Sequence, residues 1–97
     1  MICRLDYKVP GGKLVRVSVD VDEGIATRVR VAEDFFAHPE SAFDEAEAGL
    51  SGLSAADSPA AAHRAFSRPD LSLYGLEAKD IAEALRLALA QAAKQGS

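Results

Sequence analysis

A chain of 97 residues with 48% hydrophobic and 27% charged side chains has ordinary globular composition, which excludes a disordered, collagen-like or low-complexity protein and predicts a single domain over residues 1–97. One cysteine forms no internal disulfide, and Cys3, His38 and His63 lack the clustered spacing of a zinc site, so a cytoplasmic, metal-free protein is expected. A formal charge of −4 argues against general nucleic-acid binding, and the charged start Met1-Ile2-Cys3-Arg4-Leu5-Asp6 with no later run of about eighteen apolar residues predicts neither export nor a membrane span.

Residues 1–32 hold six basic residues against four acids, and residues 33–97 five against eleven. All seven valines fall at or before Val31, and eighteen of nineteen alanines at or after Ala32, so strand-favouring side chains give way to helix-favouring ones. Cys3, Leu5, Tyr7 and Val9 alternate with Arg4, Asp6 and Lys8, the period of a half-buried strand. Pro10-Gly11-Gly12 supplies a type II turn. Val15, Val17, Val19 and Val21 then alternate with Arg16, Ser18, Asp20 and Asp22, and Asp22-Glu23-Gly24 turns the chain again. Ile25, Val29 and Val31 are read as the inward face of a third strand with Arg28 and Arg30 outward, completing an antiparallel meander.

His38-Pro39-Glu40 marks a helix start with Pro39 at the first helical position. Its apolar stripe is Ala42, Phe43, Ala46 and Leu50, and Gly49 and Gly52 bracket its end. Ser51 to Pro59 reads as a loop. Ser58-Pro59 caps a short helix through Phe66 that Pro69 stops. The last helix buries Ile81, Ala84, Leu85, Ala88, Leu89 and Ala92 and exposes Glu83, Arg86 and Lys94. The expected fold is α+β: a three-stranded antiparallel meander followed by two to three helices packed on one face.

Lys8 and Lys13 flank a loop whose Gly11 and Gly12 could offer backbone N–H groups to an anion; a plain hairpin turn with solvated lysines is the other reading. It is not a Walker loop, because Leu14 follows and begins a strand. Asp34-Phe35-Phe36 places adjacent aromatics at a strand end, where either one ring is exposed to a partner or both seal the sheet-to-helix corner. His38 reads as a helix-entry residue, His63 as a surface side chain, Cys3 as a buried inert thiol, and Asp44, Glu45 and Glu47 as the wet face of the first helix. The residues therefore show no catalytic constellation, and such a domain usually assists another protein.

In order, Lys8-Val9-Pro10-Gly11-Gly12-Lys13-Leu14-Val15-Arg16-Val17, Gly24-Ile25, Asp34-Phe35-Phe36 with Pro39-Glu40, Leu50-Ser51-Gly52, and Tyr74-Gly75-Leu76 before Asp80-Ile81 resemble the C-terminal domain of lipoate protein ligases. The likeness spans nearly the whole chain. It departs at Glu33, where that family commonly has glycine, and residues 55–67 are richer in alanine. The resemblance implies a small accessory subunit, not an enzyme by itself, that supports ATP-dependent formation of lipoyl-adenylate by a catalytic large subunit before transfer to lipoyl-domain lysines. It implies that ATP with magnesium and lipoate belong to the complex, with no cofactor bound by this chain alone, and that acceptor proteins are met indirectly. Lys8, Gly11, Gly12 and Lys13 are then expected near the phosphates or adenylate, and Asp34, Phe35 and Phe36 at the partner. A stand-alone interaction or carrier-type module without a ligase role is the alternative.

Overall fold

The computed structural model describes residues 2–33 and 36–95, the side chains of Glu33, Phe36 and Gln95 excepted. The chain runs β1 (Ile2–Lys8), β2 (Leu14–Asp22), β3 (Ile25–Glu33), β4 (Phe36–His38), α1 (Glu40–Ala48), β5 (Leu53–Ser54), α2 (Ser58–Phe66), β6 (Ser72–Tyr74) and α3 (Ala78–Gln95). It is α+β. The strands β1, β2 and β3 form the expected antiparallel meander, and the helices cover one of its faces.

Alternation fixes which face is covered. Val15, Val17 and Val19 of β2 are fully buried beneath α3, whose Ile81, Ala84, Leu85 and Ala88 pack against them. Alanines at 84 and 88 let that helix lie close to the sheet, and Leu85 fills the remaining depth. Cys3 joins the same core from β1. The second helix packs mainly on α3, and Phe43 of α1 meets Phe66 of α2 with ring centroids 5.1 Å apart and planes tilted by 47°. Every member of the α1 stripe, including Leu50 just past its end, is buried.

Four local expectations are corrected. Ile25 does not face inward; Ala26 does, because Val21 pairs with Ala26 while Asp20 pairs with Arg28, leaving Thr27 as an extra residue that shifts the alternation by one. The hydroxyl of Thr27 donates to Asp20 O at 3.1 Å across this bulge. The stretch 51–59 is not all loop: Leu53 and Ser54 pair with Ala26 and Ile25 and extend the meander to four strands. Pro39 precedes α1 at its N-cap instead of occupying the first helical position. Asp57, not Ser58, is the N-cap of α2; Ser58 is buried, and its hydroxyl donates to Ser54 O at 3.0 Å.

Two short strands carry no sequence signal of their own. Phe36, Ala37 and His38 pair with Tyr74, Leu73 and Ser72 to form a separate two-stranded sheet. Each is three residues long, too short for a period to show, and each is held by the other across the fold.

Candidate functional site

Strand register gathers the residues of interest at one end of the meander. Tyr7 faces Val15 and Val15 faces Glu33, so the Lys8–Lys13 hairpin and the exit of β3 share that end. Beyond the exit, β4 pairs with β6, and Gly75, which follows β6, lies against the hairpin. The hairpin, the start of β4, Tyr74-Gly75-Leu76 and the first turn of α3 thus form one rim, although up to seventy residues separate them in sequence.

The turn itself is type II. The N–H of Gly12 donates to Val9 O at 2.9 Å, and Gly11 sits at φ 70°, where a side chain would be strained. The N–H of Val9 donates to Lys13 O at 3.0 Å, and that of Lys13 donates to Gly75 O at 3.4 Å. Three amides are thus engaged and Pro10 has none, so the loop is not a run of successive amides open to an anion. The Gly11 N–H and the lysine ammonium groups are what the turn can still offer an anion. The Nζ of Lys8 donates to Gly12 O at 2.8 Å, which holds the cation over the turn while leaving it exposed.

The sequence marks Gly12 as a turn residue and a candidate anion contact; the structure adds that it is a close approach of two backbones. A Cβ at Gly12 would stand 2.6 Å from Gly75 O, and one on Gly75, itself at φ 98°, would stand 2.6 Å from Lys13 Cγ. These contacts lock the hairpin to the segment that enters α3. An open cleft of about 400 Å³ separates Gly11 and Gly12 from Leu76, Glu77, Lys79 and Asp80. Its charges are already engaged: Asp80 Oδ2 accepts from the Glu77 N–H at 2.8 Å at the start of α3, and Lys79 Nζ lies 3.1 Å from Glu77 Oε2. The hydrogen bond that Lys79 donates to the Glu77 carboxylate raises the Lys79 pKa above its ordinary value.

The remaining candidates fall elsewhere. Asp34 and Phe35 lie outside the described residues, as does the side chain of Phe36, whose backbone opens β4. His38 and His63 are exposed, and Cys3 is buried with its Sγ 3.9 Å from Gln91 Oε1. Among the described residues no group of three His, Cys, Asp or Glu is placed to hold a metal ion, and no helix is long and apolar enough to cross a membrane. The acids of α1 are only partly a wet face. Asp44 is exposed, but Glu47 accepts the Val31 N–H at 2.7 Å and ties α1 to β3, and Glu45 lies 3.3 Å from Arg68, which also grips Asp70 at 2.6 Å and 2.8 Å.

A second charged region went unnoticed in the sequence. The uncovered face of the meander carries Arg4, Arg16, Arg28 and Arg30. Arg16 grips Asp6 through Nε at 2.8 Å and Nη2 at 3.5 Å, and this hydrogen bond holds the Asp6 carboxyl below its ordinary pKa. The signal was present as the even-numbered half of each strand pattern, which reasoning about the core passes over.

The chain is similar to a chain in the solved structure of an archaeal lipoylation system from Thermoplasma acidophilum, a bipartite lipoate protein ligase and its E2 lipoyl domain. The two share 26% identity and a TM-score of 0.77 over 89% of this chain and 96% of that one. No family model matches the chain, and neither does any curated protein.

Proposed function

We propose that this chain is the small accessory subunit of a bipartite lipoate protein ligase, required for ATP-dependent activation of lipoate to lipoyl-adenylate and not a catalyst by itself. The observation that carries the reading is the match to a chain of the archaeal lipoylation system across nearly the full length of both chains, at 26% identity. Since 89% of one covers 96% of the other, the two are of nearly equal length, which fits a pairing with a small subunit better than with a whole ligase.

The geometry supports this reading in one respect. Segments that carry the sequence resemblance, Lys8–Lys13 and Tyr74-Gly75-Leu76, meet at one rim with the strand that leaves residues 34–36. In the proposed role this rim closes over a nucleotide held by the large subunit. In adenylation the lipoate carboxylate bonds to the α-phosphorus as the α–β phosphoanhydride bond breaks and pyrophosphate departs, and a cation fixed nearby stabilises the charge that develops there without a nucleophile from this chain. Lys8, steadied by Gly12 O, and Lys13, its stem against Gly75, are the groups placed to supply it. Magnesium and the acyl pocket are assigned to the partner. Asp34, Phe35 and Phe36 remain the proposed docking corner.

The experiment is reconstitution. The chain should co-purify with the large subunit, and ATP with lipoate should yield pyrophosphate only when both are present. Turnover by this chain alone, or by the large subunit at full rate without it, overturns the reading.

A further inference from the structure

On the face of the meander turned away from the helices, arginine gathers although the chain as a whole carries −4. Register sets Arg4, Ser18 and Arg30 side by side across the three strands, with Ile2, Asp20 and Arg28 in the neighbouring row. Adjacent strands lie about 4.8 Å apart and successive residues of one face about 6.8 Å apart, so three guanidinium stems rise within roughly 10 Å of Ser18. A shallow open hollow of about 380 Å³ lies among these six side chains. Arg16, Arg68 and Arg86 each grip a carboxylate of their own chain. The side chains of Arg4, Arg28 and Arg30 have no hydrogen bond or ion pair with a described residue.

Unpaired guanidinium groups around a polar floor suit carboxylates, which they clasp through two parallel hydrogen bonds. The same face bears exposed apolar groups, Ile2 at 59% and Ile25 at 37%, and arginine beside exposed aliphatic carbon is the composition of protein interfaces. Asp6, Asp20 and Asp22 interrupt the arginines, so a nucleic-acid backbone would meet no continuous basic track. A second copy could offer its acidic helices, but that head-to-tail contact would repeat from copy to copy into a ring or a filament. The strands are seven, nine and nine residues long, giving a face of about 25 by 14 Å, roughly half of what each partner contributes to a standard stable interface. A surface of this size and charge suits a partner that is steered in quickly and released.

We propose that this face docks a carboxylate-rich surface of the protein that receives the acyl group, engaged transiently at each transfer, a direct contact where the resemblance implies only an indirect one. The proposal rests on the ligase reading above, in which a permanent subunit needs more area than this face has, whereas an acceptor must leave after every turnover.

The test titrates the isotope-labelled full chain with the unlipoylated E2 lipoyl domain of the same organism, at low salt and at about 0.5 M, where exposed ion pairs are screened. Amide shifts at Arg4, Ser18, Asp20, Arg28 and Arg30 that fade at high salt are expected. The double variant Arg28→Gln, Arg30→Gln should bind about tenfold more weakly, since each exposed pair is worth a few-fold. Unchanged affinity in a folded double variant, or shifts confined to other surfaces, overturns the proposal. So does loss of binding to a short DNA duplex with lipoyl-domain binding intact, which would assign the face to nucleic acid. Pyrophosphate release in the presence of the large subunit reads the ligase role separately. Release with wild type but no lipoyl-domain binding overturns the docking alone, and no release with wild type overturns both.

Discussion

Lys8 and Lys13 are built into the fold at the end of the sheet, one ammonium held by Gly12 O at 2.8 Å and one stem pressed on Gly75, while the side chains of Arg4, Arg28 and Arg30 stand on the open face with no partner among the described residues. The difference matches the two roles proposed for these regions. A cation fixed by its own backbone has lost most of its freedom before any ligand arrives, which is what stabilising a developing charge requires. Arginines on a regular strand face are spaced by register but still mobile at their tips, which suits recognition of a surface that varies.

Separate removal of the two sets breaks the comparison most directly. Lys8→Ala with Lys13→Ala should lower pyrophosphate release by the reconstituted complex on the order of a hundredfold while leaving transfer from preformed lipoyl-adenylate nearly intact. Arg28→Gln with Arg30→Gln should leave pyrophosphate release at the wild-type rate. Equal loss from both pairs would mean that the two regions are one electrostatic surface and that the geometric distinction carries no chemistry.

The two ends also differ in packing. Gly12→Ala places a methyl group 2.6 Å from Gly75 O, a backbone atom that cannot swing aside, so the hairpin must part from the α3 entrance. Denaturant unfolding should show a loss of about 2 kcal/mol, in the range of overpacked sites. Arg4→Ala, on the open face, should change stability by no more than about 0.5 kcal/mol. Glu47→Gln falls between them. It weakens a charge-assisted bond from the Val31 N–H and should cost about 1 kcal/mol, seen as faster hydrogen exchange at Val31.

Sequence pattern revealed the meander, the three helices and the turn type because each is a local matter of period, proline and glycine. It missed what depends on distant chain. Nothing near Thr27 announces the bulge that turns Ala26 inward, and the pairing of β4 with β6 exists only once α1 and α2 have brought residues 36–38 and 72–74 together. The rim was half legible: Lys8–Lys13 stood out, while Gly12 and Gly75 could not show that each excludes a side chain at the other's approach. The arginine face was written in the alternation, but only register reveals that Arg4, Ser18 and Arg30 are neighbours.

The smallest effect concerns Arg16, an arginine of the open face that is tied within its own chain. Its bidentate grip on Asp6 holds that carboxyl below its ordinary pKa, chiefly through the hydrogen bond, which outweighs the opposing desolvation, and to a lesser degree through the guanidinium charge. A carboxyl whose folded pKa is depressed adds stability above its unfolded pKa, near 4, and loses that contribution as pH falls through the folded value. Asp6→Asn should therefore be slightly less stable than wild type at neutral pH, and the two melting curves should converge as pH falls through the folded value. Because the pair is fully exposed, salt should shrink the gap at neutral pH as well. A carboxyl titration by NMR that places Asp6 at or above its ordinary value would show that the Arg16 contact is not held in solution.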